Sequence, residues 1–137
     1  MNEAKFQTLF NKWAEHNMVR TFVAELKFTK KGYLPFSAVK EHQSDFLNIC
    51  GAGGFAYKIP DLGSRNPFDM FYAYKVNAFV VIMFYKRGQR EFIMIPYGKW
   101  AHEAAQADTP GARKSLTEER AKKIGKTYLL YDDLKYL

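Results

Sequence analysis

Residues Thr21 to Phe28 alternate with the period of a β-strand. Phe22, Ala24, Leu26 and Phe28 fall on one side, and Val23, Glu25 and Lys27 on the other. A carboxylate and an ammonium are thereby presented together from a rigid element. Such a pair suits a metal-dependent phosphodiesterase: the acid holds a hard cation, and the lysine sits near the attacking water or the scissile phosphate. A solvated ion pair on an edge strand is the plain alternative, since such pairs are common and worth little.

The length of 137 residues predicts one domain, and 47% hydrophobic with 17% aromatic residues is enough for a core and too much for a disordered chain. The net charge of +7 points to nucleic acid, an anionic membrane or an acidic protein as partner. Cys50 is the one cysteine, so no internal disulfide forms, and its apolar setting predicts a buried small hydrophobe. With His16, His42 and His102 scattered, no zinc cluster is expected. The N-terminus lacks an apolar signal core, and the apolar run Ala78 to Tyr85 is too short to span a bilayer. The expectation is a soluble, cytoplasmic protein with no membrane partner.

Along the chain, Phe6, Leu9, Phe10 and Trp13 mark an amphipathic helix over about residues 3 to 16. Val19 to Phe28 reads as a strand and Lys30-Lys31-Gly32 as a basic turn. A second helix is predicted from Ser37 as N-cap, with Val39, Gln43, Phe46, Leu47 and Cys50 on one stripe and Gly51, Gly53 and Gly54 at its end. Phe55 to Ile59 reads as a short strand and Leu62 to Pro67 as a loop. Phe68 to Tyr74 and Ala78 to Tyr85 have the pattern of a β-hairpin, and Glu91 to Ile95 is a further strand. Helix is expected again around Lys99 to Ala107. It is expected once more after the capping box Ser115-Leu116-Thr117-Glu118, as far as Ile124 and closed by Gly125. The segment Thr127 to Leu137 is ambiguous. The order is that of a mixed α/β (α+β) domain with several antiparallel neighbours.

Several residues besides Glu25 and Lys27 are candidates for chemistry. Asp69, in Asn66-Pro67-Phe68-Asp69, is a second metal carboxylate or a residue that turns the chain. Gln43, on the apolar stripe of the second helix, holds a catalytic water, orients Lys27, or bridges to a free backbone group. Glu3, on the face of Phe6 and Phe10, is a weaker metal candidate and otherwise favours the positive end of its helix. Of the basic residues Lys30, Lys31, Lys58, Arg65 and others, most fall in turns, which can grip phosphates without reading sequence, or they form a solvated rim. His42 is a surface or phosphate-contacting residue.

The run Glu25-Leu26-Lys27-Phe28-Thr29-Lys30, then Leu34-Pro35-Phe36, Glu41-His42-Gln43 and Gly53-Gly54, resembles the RecU-type Holliday junction resolvases of the PD-(D/E)xK nuclease superfamily. The match covers about residues 22 to 60, with a looser extension to about Trp100. The resemblance implies a single nuclease-like domain over 1–137 with a restriction-endonuclease-like core, a central mixed sheet flanked by helices. It implies a Mg²⁺ or Mn²⁺ cofactor, branched or duplex DNA as substrate, and a homodimer. Glu25 matches the acid and Lys27 the lysine of the Glu-x-Lys motif, and Gln43 matches the helix glutamine. The chain departs in one respect: the family carries its metal-binding Asp on a strand before Glu-x-Lys, and nothing between Trp13 and Glu25 supplies it. Pro67-Phe68-Asp69 looks like that element, placed downstream. Either a permuted strand order brings Asp69 beside Glu25, or the acid is lost and the fold serves as a DNA-binding module or a protein–protein adaptor.

Overall fold

The computed structural model describes residues 1–18, 20–59 and 68–130. Helix α1 (Glu3–Asn17) starts at Asn2, whose side-chain oxygen accepts the Lys5 N–H. Its stripe of Phe6, Leu9, Phe10 and Trp13 is buried, as the spacing predicts. Then come β1 (Phe22–Thr29), β2 (Tyr33–Pro35), α2 (Glu41–Ala52), β3 (Gly54–Lys58), β4 (Met70–Tyr74) and β5 (Asn77–Phe84). The chain continues through β6 (Glu91–Pro96), α3 (Tyr97–Gln106), β7 (Ser115–Thr117), α4 (Glu118–Ile124) and β8 (Lys126–Leu129).

The molecule is mixed α+β, with a central mixed sheet in the order β1-β5-β6-β8 flanked by helices. β1 runs parallel to β5, while β5–β6 and β6–β8 are antiparallel. Two smaller ladders, β2–β7 and β3–β4, are both antiparallel. The sheet has a core on each face. On one, α1 packs over Val81, Met83, Phe92 and Met94, with Phe22, Ala24, Leu26 and Phe28 of β1 against it. On the other, Leu47 and Cys50 of α2, Trp100 of α3 and Ala121 of α4 pack with Val80, Ile82, Ile93 and Ile95. Burying each such large side chain contributes roughly 1.5–3 kcal/mol. Among the described residues, no helix is long and apolar enough to cross a membrane.

The pairing of the middle strands differs from the sequence expectation. Phe68–Tyr74 and Ala78–Tyr85 do not form a hairpin with each other: β4 pairs with β3, and β5 lies between β1 and β6. The reason is burial. Val80 to Phe84 is apolar on both faces and belongs in the middle of a sheet, whereas β4 carries Tyr72 and Tyr74 into solvent. The joint between them is tied to the end of α2, where the Lys75 and Val76 N–H groups donate to the carbonyls of Gly53 and Cys50.

Two helix starts also move. Ser37 lies in a 3-10 turn, Phe36–Ala38, and α2 begins at Glu41. Ser115 lies in β7, so Thr117 caps α4 by accepting the Arg120 N–H. Of the ambiguous C-terminal segment, Thr127 to Leu129 belongs to β8, and residues 131–137 lie outside the described residues, as does most of the loop before Phe68.

Candidate functional site

The alternation of β1 assigns its two sides. With Phe22, Ala24, Leu26 and Phe28 turned towards α1, Glu25 and Lys27 face the layer of α2. There they meet Gln43, in the first turn of α2. Lys27 Nζ lies 3.1 Å from Glu25 Oε1, and the side chains are 15% and 26% exposed, so the pair is far from fully solvated. Gln43 Nε2 donates to Glu25 Oε1 at 2.9 Å, and Gln43 Oε1 accepts from Lys27 Nζ at 3.3 Å. The three side chains thus form a closed ring of contacts.

Gln43 is itself fixed by the helix start. Its Oε1 also accepts the Lys40 backbone N–H at 3.0 Å, the backward half of a capping box. One amide therefore satisfies an orphan N–H, holds the ammonium and donates to the carboxylate. A hydrogen bond between the Ser44 and Tyr97 hydroxyls adds a tie between α2 and α3. A cavity of about 320 Å³ opens beside this ring, lined by Val23, Ala24, Glu25, His42, Gln43, Phe46 and Leu47. His42 stands exposed at its edge.

The other candidates lie around this centre. Asp69 is exposed at the start of β4, and its carbonyl accepts the Ile59 N–H, which extends the β3–β4 ladder by a pair. Alternation puts it on the same side as Phe71 and Ala73. That side faces an apolar groove whose lining includes Val23, Phe46, Phe55, Phe68 and Phe71. Asp69 does not line the cavity at Glu25. Glu3 is exposed in the first turn of α1, a helix packed on the opposite face of the sheet. Lys30 and Lys31 sit in the exposed turn after β1, with Lys31 Nζ 5.7 Å from the Tyr33 ring centroid. Lys58 ends β3 and is exposed. Arg65 lies outside the described residues.

Among the described residues, no group of three His, Cys, Asp or Glu side chains is gathered to hold a metal. The cavity offers one carboxylate, Glu25, of which Oε1 is engaged by Lys27 and Gln43. A Mg²⁺ ion takes one or two carboxylates and keeps waters and substrate phosphate as its remaining ligands. Glu25 meets the lower end of that requirement. Cys50 is buried on the inner side of α2, and burial pushes its thiol up.

The backbone contact at Lys40 is the part of the site that the strand and helix periodicities do not reveal. Only half of its signal was present: Gln43 stands three residues after the N-cap, but Lys40 takes the place of the Ser or Thr that completes a capping box. In comparisons with known proteins, no family model, no curated protein and no solved structure matches the chain.

Proposed function

We propose that this chain is a small Mg²⁺- or Mn²⁺-dependent DNA endonuclease on a restriction-endonuclease-like core, resembling the RecU-type resolvases. It would act as a homodimer on branched or duplex DNA in the cytoplasm of a bacterial or phage-infected cell. One observation carries this reading: the ring formed by Glu25, Lys27 and Gln43, in which a strand and a helix bring together an acid, an ammonium and an amide beside a cavity. A surface ion pair needs no glutamine locked by a helix cap, and it needs no cavity.

Glu25 would hold the metal, with waters and substrate phosphate as its remaining ligands, since Asp69 does not line this cavity. When bound, the metal supplies a lowered pKa for its water and a positive charge at the phosphate. The chain's own groups do the rest. Lys27 places a fixed positive charge where negative charge develops on the phosphate oxygens, in a half-buried setting where it is less screened. Gln43 positions Lys27 and Glu25 by holding both through one planar amide. His42, Lys30, Lys31, Lys58 and Arg65 would grip the DNA backbone, which fixes register without reading sequence.

The testing experiment is a cleavage assay on branched, duplex and single-stranded DNA with Mg²⁺ or Mn²⁺, comparing the native chain with Glu25→Ala. Metal-dependent cutting that disappears in the variant is the expected result. A native chain that binds DNA and cuts none of these substrates would overturn the nuclease reading. It would favour the second one, a DNA-binding module, for which the engagement of Glu25 Oε1 by Lys27 and Gln43 already speaks.

A further inference from the structure

The β3–β4 hairpin has two unlike sides. The inner side packs on α2 at one end, where Phe55 meets Phe46 at 4.9 Å and Phe71 at 6.3 Å between ring centroids, while Tyr57 and Phe71 stay partly open to the apolar groove. The outer side carries Gly54, Ala56 and Lys58 of β3 opposite Tyr74, Tyr72 and Met70 of β4. Tyr72 and Tyr74 are each 62% exposed and Met70 51%. Tyrosines so exposed, on one side of one strand, are not contributing to this chain's core.

The surroundings of the two rings narrow what covers them. The end of the Tyr72 side chain lies over Gly54, where a Cβ would come within 2.8 Å of Tyr72 Cζ. The missing side chain lets the ring settle against the hairpin and keep its other face open. Lys75 Nζ stands 5.4 Å from the Tyr74 ring centroid. Lys58 lies at the far end of the same side, and none of the six paired residues on it is acidic. The surface is therefore aromatic at its centre and cationic at both ends, on a chain of net charge +7.

We propose that this side of the hairpin is a stacking platform for the unpaired bases of a single-stranded stretch of DNA, with Lys58 and Lys75 on its phosphates. Base–aromatic stacking tolerates any sequence, because every base has a π-face, and lysines along the path add the backbone attraction. Two rings two residues apart on a strand are separated by about 6.8 Å, room for one base on each. An apolar protein surface would match the rings and leave both ammonium groups without a counter-charge. The inference rests on reading the chain as one that acts on DNA and extends that reading to unpaired nucleotides.

The test uses the full chain in EDTA with a short oligothymidylate carrying one 2-aminopurine, whose fluorescence is quenched by stacking. Binding with quenching is expected. The Tyr72→Ala/Tyr74→Ala variant should bind at least roughly thirtyfold more weakly and lose the quench, while Tyr72→Phe/Tyr74→Phe keeps both. Equal affinity in the alanine variant overturns the proposal. So does a native dimer, seen in sedimentation, that the alanine variant cannot form while its oligonucleotide affinity is unchanged; the face is then an interface between two copies. Should the alanine variant fail to fold, Lys58→Gln/Lys75→Gln serves instead. The slope of log affinity against log salt should flatten by about 1.4, two phosphates' worth, and an unchanged slope overturns the proposal. A chain that stacks the oligonucleotide but cuts no DNA sinks the nuclease reading alone, and one that cuts without stacking sinks this one alone.

Discussion

Gln43 shows how much one side chain can organise. A carboxylate only accepts hydrogen bonds, while an ammonium and a backbone N–H only donate. The amide therefore has one workable orientation, with Nε2 on Glu25 and Oε1 towards Lys27 and Lys40. Gln43→Ala removes all three contacts, and we expect it to destabilise the fold by about 1 kcal/mol, the scale of a lost helix cap, in urea denaturation. Lys27→Ala should leave DNA binding nearly intact and lower the cleavage rate by about 10²–10³, the usual loss for one transition-state charge donor, in single-turnover kinetics. Equal losses in affinity and rate would instead make Lys27 a phosphate anchor. Glu25, Lys27 and Gln43 were legible in the sequence because each sits on a short periodic element whose faces can be counted. The relation of Asp69 to Glu25 was not, because it depends on where the hairpin lies against β1, and no local period encodes that.

At the level of the element, the misreading of β4 and β5 has a simple origin. A short apolar run buried on both faces has no alternation to assign it a partner. Tyr72 and Tyr74 were the cue that β4 was not such a strand. Gly125 was legible as the end of α4, though not for its full reason. Its φ of −119° is ordinary extended backbone. What requires glycine is proximity: a Cβ there would lie 2.7 Å from Ile93 Cγ2 and 2.8 Å from the Met94 carbonyl oxygen. Gly125→Ala should therefore cost about 1–3 kcal/mol by forcing β8 away from β6, read as a lowered midpoint of chemical denaturation. On α2, Cys50 is fully buried, and it should react with a disulfide reagent only as the chain unfolds. Desolvation raises its folded thiol above the unfolded value. The stability from burying the neutral thiol is therefore fully present below the unfolded pKa, about 8.5, and is lost as pH rises through the higher folded value. A Cys50→Ala variant should lack that alkaline loss in denaturation measured across this range.

For the molecule as a whole, composition and periodicity were sufficient to foresee a mixed α+β domain, because a chain this apolar must layer helices on a sheet to bury its stripes. They could not foresee that the first strand would pair in parallel with the fifth. That pairing, Phe22 with Asn77 onwards, joins segments about 55 residues apart in the chain, with α2 and the whole β3–β4 hairpin between them. Its consequence is kinetic. The sheet cannot nucleate from neighbours in sequence along this edge, so folding should be slow for a domain of this size, on the millisecond-to-second scale of non-local topologies. The hairpin adds surprisingly little to that delay, since the entropy of closing a loop grows only with the logarithm of its length. Replacing residues 54–75 by a short turn should speed refolding, followed by stopped-flow tryptophan fluorescence, by no more than about twofold. The hairpin's length thus weighs little on the rate of assembly, whatever its packing through Phe55 and Ala73 adds to stability.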